Sequence, residues 1–185
     1  MSTLIFSTAV SLDGYIAGPD GAIDWAAPDQ DVMRFHNEQS RELTGHLTGR
    51  KLYETMLGWE TAEQTRTDPL EIEFARIWTA VPKLVFSRTL TAVEGNARLA
   101  TRDVVDEATA LRDGPGDGIV SVGGAGLAAE LARNDLIDEY RLFVNPVVLG
   151  GGTPYFPPLP KRLALELLET RNFSHVTYLR YRRSS

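Results

Sequence analysis

The chain has 185 residues, 43% apolar and 24% charged, a balance that suits one soluble α/β-sized domain, residues 1–185, with a sizeable core. Its formal charge of −6 argues against a general polyanion-binding surface, so no nucleic-acid partner is expected, and the only basic block is the short tail Arg180 to Arg183. The absence of cysteine excludes disulfides, thiolate nucleophiles and cysteine zinc sites. His36, His46 and His175 lack metal-binding spacing and read as surface or packing side chains, so no metal is expected either. No basic, apolar leader opens the chain and no apolar run approaches the ~20 residues of a membrane span, which makes a cytoplasmic location the default expectation.

Strand and helix signals alternate along the chain. Thr3 to Val10 is a β-rich opening strand, and Gly14 to Asp24 is a loop punctuated by Gly18, Pro19 and Gly21. Helical periodicity runs from Asp29 to Leu43 through Val32, Phe35, His36 and Leu43. Arg50 to Leu57 reads as a short helix, entered from the brief segment His46 to Gly49. Glu60 to Pro69 is polar and loop-like, and Pro69 suits the first turn of a helix over Leu70 to Thr79. Lys83 to Ser87 is a compact strand, and Asp103 to Arg112 is a helix ended by Gly114-Pro115-Gly116. Asp138 to Leu149 is a long apolar strand, broken by Pro146 and closed by Gly150-Gly151-Gly152. Leu163 to Thr170 and His175 to Arg182 read as two strands around a turn at Arg171 to Ser174. Alternating strands and helices with an antiparallel finish predict an α/β sheet that is mixed rather than wholly parallel.

The most informative stretch is Ile119 to Leu131, where a buried strand runs into Gly123-Gly124-Ala125-Gly126 and straight on into an apolar helix. Residues without a Cβ let a pyrophosphate approach the main chain, while the free N–H groups and positive end of the helix face the anion. The alternative is a tight strand-to-helix turn with no ligand. A Rossmann dehydrogenase fits poorly, because that fingerprint opens a βαβαβ half-domain and here only some 55 antiparallel-looking residues follow it. The span Asp13 to Asp24 has the length of a calcium loop, but Tyr15, Ala17 and Asp24 stand where oxygen ligands and a bidentate Glu belong.

Several segments in this order resemble the dihydrofolate reductase fold, and specifically the family containing the reductase domain of bacterial riboflavin biosynthesis and its stand-alone relatives. They are Ala9-Val10-Ser11-Leu12-Asp13-Gly14-Tyr15-Ile16-Ala17, Thr48-Gly49-Arg50-Lys51-Leu52-Tyr53-Glu54, Val85-Phe86-Ser87-Arg88, Val122-Gly123-Gly124-Ala125-Gly126, and Asp138-Glu139-Tyr140 leading to Leu149-Gly150-Gly151-Gly152-Thr153-Pro154. The resemblance covers nearly the whole chain. It implies a three-layer α/β/α domain with a mostly parallel sheet and antiparallel C-terminal strands, an NADPH cofactor across the sheet edge, and a planar heterocyclic substrate.

Residue by residue, the resemblance places cofactor phosphate at Gly49, Arg50, Lys51 and Leu52, where a guanidinium beside free N–H groups suits an anion. Ser87 and Arg88 match the turn around the adenosine 2′-phosphate, with Arg88 separating NADPH from NADH. Val122, Gly123, Gly124, Ala125, Gly126 and Leu127 match the pyrophosphate turn, and Ala9 the strand end facing the nicotinamide. On the substrate side, Asp31 is nearest to the acid that binds a pterin N–H edge and assists protonation, although Asp29 and Asp31 also suit a helix N-terminus. Asp13 matches a site-edge residue and is equally an ordinary turn former. Trp25 and Trp59 are candidate aromatic walls or core residues.

The chain departs from both named reductases. Tyr15 stands where the riboflavin enzyme carries arginine, and Trp25-x-x-Pro28-x-x-Asp31 is one residue longer than the folate-reductase pattern. The expectation is an NADPH-dependent reductase passing hydride to a pterin-like or ribosylaminopyrimidine-like heterocycle, with Asp31 or a bound water as proton donor. The alternatives are a non-catalytic NADPH-binding sensor and a structural homodimer module. A homodimer is expected because the apolar strand from Tyr140 and the terminal strand pair leave an edge or face needing cover.

Overall fold

In the computed structural model, which describes residues 1–184, β1 (Ser2–Ser11) lies at the centre of an eight-stranded sheet. On one side it pairs in parallel with β6 (Gly118–Gly123), followed by β3 (Leu43–Gly49), β4 (Lys83–Phe86) and the edge strand β5 (Ala97–Leu99). On the other it pairs in parallel with β7 (Glu139–Asn145), after which β10 (Thr177–Arg183) and the edge strand β9 (Leu165–Asn172) finish the sheet in antiparallel fashion. A small second sheet joins β2 (Tyr15–Ala17) to β8 (Thr153–Pro154).

The helices start where local chemistry dictates. Asp29 caps α1 (Gln30–Ser40) by accepting from the Val32 N–H at 2.9 Å, and Asp68 caps α4 (Pro69–Ala80) through the Leu70 N–H at 2.8 Å. Pro69 occupies the first turn of α4, where its missing N–H costs nothing. Asp103 caps α5 (Val104–Asp113) in the same way. Two shorter helices, α2 (Arg50–Met56) and α3 (Ala62–Thr65), precede α4. The last, α6 (Ala125–Arg133), follows β6 after the single residue Gly124.

Alternation along the strands sorts the core into two layers. Leu4, Phe6, Leu47, Val120 and Val122 pack with Val104, Ala108, Ala128 and Leu131 of α5 and α6. On the other face Phe143 and Tyr178 meet Val32 and Phe35 of α1, and α4 contacts α1. The result is the expected three-layer α/β/α arrangement. Among the described residues no helix is long and apolar enough to cross a membrane.

Four elements differ from the sequence expectation. The brief segment before Arg50 is a full central strand, β3, whose Gly45 and polar alternation hide it from β-propensity. The loop expected from Gly14 to Asp24 contains β2, and β5 forms in a stretch to which no element is assigned; at three residues each, both are too short for any periodicity to register. The apolar run toward Leu149 leaves the sheet at Asn145, before Pro146, which has no N–H for a ladder.

Candidate functional site

A cleft opens in the middle of the sheet because β1 loses a neighbour. It pairs with β6 only from Ser2 to Ile5, then runs on to Ser11 against β7 alone. Beside Ser7 and the residues beyond it, β6 gives way to the Gly123-Gly124 turn. Neighbouring strands β3 and β4 also end here, at Gly49 and Phe86, so three strand-to-loop turns converge at one edge. Such a gap beyond the carboxyl ends of parallel strands is where open α/β sheets bind ligands.

Two of the turns touch. Gly124 has φ of +102°, a region L-residues rarely adopt, and a Cβ there would lie 3.7 Å from the Gly49 nitrogen. At Gly123 the neighbour is a side chain: a Cβ would come within 2.5 Å of Leu52 Cδ2, which would have to move aside. Arg50 stands exposed at the start of α2, its one ion pair among the described residues a 3.4 Å contact to Glu54 in the next turn. Lys51 and Arg88 are exposed and make no ion pair among the described residues. The Ser87 hydroxyl accepts from the Thr89 and Leu90 N–H groups at 3.1 and 2.9 Å, which shapes the turn carrying Arg88. Ala125, Gly126 and Leu127 begin α6 beside this edge, with Val122 buried beneath them. The structure thus brings the expected phosphate-side residues of three separate segments to one rim.

Beneath the rim lies a cavity of about 140 Å³ between the sheet, α1 and α4. Its sheet floor includes Ser7, His46, Thr48, Ser121 and Arg141, and α1 contributes His36 and Gln39. Register explains the set. Ser121 lies opposite both Ile5 and His46, and Ser7 lies opposite Arg141, so these side chains share one face. The Thr48 hydroxyl is buried without any hydrogen-bond partner. Burial pushes His36 down from its ordinary value, and burial together with the charges of Lys83 and His36 pushes His46 down to about 4, so both imidazoles are neutral at pH 7. Their rings pack on Phe74 and Trp78 at 5.5 and 5.0 Å. Among the described residues no three His, Asp or Glu side chains gather as metal ligands.

The expected substrate-side residues are not brought to this cavity. Asp31 lies on the outer face of α1, its carboxylate 74% exposed and paired with Arg34 at 2.8 Å. The inner face of α1 is taken by Val32, Phe35 and His36, and Asp31 lies about a quarter-turn away from its centre. Asp13 accepts from Ser11 Oγ at 2.7 Å and from the Leu149 and Gly150 N–H groups at 3.1 and 2.8 Å. The Ser11 bond above all, with those two N–H groups, holds its carboxyl below the usual range. It therefore fastens the β1–β2 turn to the glycine loop after β7. Trp25 donates to the Ala22 carbonyl and borders a separate, open hollow with Leu149. Trp59 stacks edge-on with Phe74. On β1 the cavity is lined by Ser7, whereas Ala9 sits further toward the strand end, opposite Phe143.

Sequence reasoning missed Ser7, Thr48, Ser121, His36, His46 and Arg141. The available signal was polar residues alternating with apolar ones in strands that a doubly covered sheet should bury on both faces.

The chain is similar to known proteins in sequence and in fold. The model for the RibD C-terminal domain matches residues 2–179. Uncharacterized protein YyaP of Bacillus subtilis (strain 168) is 34% identical over 172 residues, spanning 92% of this chain and 89% of that protein. Uncharacterized protein YwjB of the same organism is 30% identical over 177 residues, 95% of each. A crystal structure named "Putative riboflavin biosynthesis protein" from Shewanella sp. PV-4 superposes over the full length of both chains with a TM-score of 0.76 and 26% identity. The diaminohydroxyphosphoribosylaminopyrimidine deaminase/5-amino-6-(5-phosphoribosylamino)uracil reductase of Thermotoga maritima shares the fold at a TM-score of 0.68 and 15% identity, over 99% of this chain and 57% of that one.

Proposed function

As this chain belongs to the RibD C-terminal domain family, we propose that it is an NADPH-dependent reductase acting on a small heterocycle. The carrying observation is the meeting of the Gly49 and Gly123-Gly124 turns above a buried, unpartnered Thr48 hydroxyl. A backbone edge without side chains fits a pyrophosphate, and a hydroxyl that meets no protein partner fits a polar ligand group in the cleft. Arg50, Lys51, Ser87 and Arg88 surround that edge as the charged and polar holders of cofactor phosphates, Arg88 being the contact for the 2′-phosphate. When bound, NADPH supplies the hydride for a C=N or C=O carbon. The protein positions the acceptor over the β1–β6 gap and excludes bulk water. With Asp31 outside the cleft and both imidazoles neutral, water admitted beside Ser7 and Ser121 is the proton donor in this reading.

The test is a titration with NADPH and NADH. NADPH should bind tighter, Arg88→Ala should lose about 1.5–3 kcal/mol for NADPH alone, and Gly124→Val should bind neither while remaining folded. Equal affinity of the wild type for both nucleotides removes the Arg88 assignment. Firm NADPH binding without oxidation across pterins, pyrimidines and quinones would favour a sensor, and no binding at all a structural module.

We further propose a homodimer through the β9 edge. That strand has an unpaired side, and Leu167 is 53% exposed on it. Light scattering at micromolar concentration should give twice the monomer mass, and Leu167→Lys should halve it.

A further inference from the structure

The most buried cation on the sheet floor is weakly satisfied. Glu139, Arg141 and Arg180 form one cluster, with Arg141 1% exposed. Arg180 takes both carboxylate oxygens of Glu139 at 2.8 Å each. Burial alone would raise the Glu139 carboxyl, but the Arg180 hydrogen bond and the Arg141 charge outweigh it and hold it ionised. Arg141 is left with a share of the single oxygen Oε2, at 3.1 and 3.3 Å, its only hydrogen-bond acceptor among the described residues. Arg180 also feels Glu169 and is 31% exposed, whereas Arg141, fully buried, has only this shared oxygen among the described residues, and it is Arg141 that lines the cavity. A guanidinium withdrawn from water with most of its donors unused is costly unless a further acceptor arrives.

Among the described residues, no other group lining the cavity offers Arg141 an anionic acceptor. No Asp or Glu lines it. Ser7, Ser121 and Thr48 make no side-chain hydrogen bond among the described residues, and the Gln39 amide is spent on the Tyr178 hydroxyl at 2.7 Å. Size bounds the occupant too. A cavity of about 150 Å³ holds one benzene ring, and this one, of about 140 Å³, is walled by Phe74 and Trp78.

Resting on the reductase reading above, we propose that the substrate inserts one planar ring bearing an anionic oxygen edge, a carboxylate or ring oxyanion, which Arg141 binds. This narrows the substrate to monocyclic, acidic heterocycles and excludes recognition of a protonated pterin edge, which needs a carboxylate where this chain presents a guanidinium. Arg141 thereby becomes a specificity-determining residue on a strand opposite Ser7.

Calorimetry with orotate, uracil and 2,4-diaminopyrimidine tests this, each added to the protein alone and to the protein saturated with NADP⁺. Orotate should bind, uracil should bind about tenfold or more weakly for want of a charge-assisted bond, and 2,4-diaminopyrimidine should not bind. Arg141→Met leaves Glu139 its bidentate Arg180 and should cut orotate affinity at least about tenfold with NADPH affinity unchanged. A diaminopyrimidine that outranks orotate on the wild type overturns the proposal without needing any variant to fold. So does orotate affinity that survives Arg141→Met. Failure of the reductase reading is read separately, as absent NADPH binding, while the order of the three probes on the protein alone still decides the anion site.

Discussion

Leu4, Phe6, Leu47, Val120 and Val122 meet α5 and α6 with hydrocarbon alone, whereas Ile5, Ser7, His46, Thr48 and Ser121, their neighbours on the same strands, face α1 and α4 across a polar cavity. The same strands serve both layers, so the contrast is not one of exposure or position in the sheet. It follows from the period of two. One set of alternate residues can be committed to packing while the other carries polar groups with no protein partner. In the proposed reading, stability and recognition thus fall to opposite faces, and each can be broken separately.

The largest expected effect lies on the apolar face. Leu131 of α6 is fully buried, and Leu131→Ala should destabilise the fold by about 2–5 kcal/mol through lost burial and the residual cavity. NADPH affinity of the folded protein should be kept. Thermal unfolding checks it, and a loss below about 1 kcal/mol would mean that the layer repacks easily and does not dominate stability.

Acid should act through the polar face. His46 titrates at about 4 in the fold and at about 6.5 when unfolded, so the unfolded chain takes up the proton first as pH falls. Its contribution is complete above pH 6.5 and is lost between 6.5 and 4, by up to about 3 kcal/mol. His36, also lowered by burial, adds in the same direction. Urea denaturation at pH 7.5, 6 and 5 should show falling midpoints, with a shallower fall in His46→Asn. A midpoint independent of pH over this range would deny that the imidazoles are buried neutral.

A smaller effect separates the faces most sharply. Thr48→Val removes a buried hydroxyl that has no partner, so it should raise stability by about 1 kcal/mol while weakening NADPH binding. Stabilisation with unaltered affinity would make Thr48 a defect of packing rather than part of the site. Smallest of all is Asp31→Asn. With its carboxylate in solvent beside Arg34, turnover and pH profile should match the wild type, and stability should move by less than about 0.5 kcal/mol. A flattened pH profile would require Asp31 to reach the substrate by a motion of α1.

The sequence by itself determined the elements that local chemistry controls. Asp29, Asp68 and Asp103 begin helices because their carboxylates satisfy free N–H groups, Gly114 and Pro115 end one, and Gly124 marks the turn whose φ only glycine adopts easily. The order of those turns also carried the resemblance that the family match bears out. Only the tertiary structure decided which strands neighbour one another, and therefore that β1 outruns β6 and leaves a gap. The resemblance placed Asp31 near the substrate, yet α1 turns Val32, Phe35 and His36 inward, and the structure sets Asp31 in solvent. Arg141 reads as one charge in an apolar strand. Its significance depends on Glu139, Arg180 and Ser7, and pairing across three strands is a long-range property that no window of sequence contains.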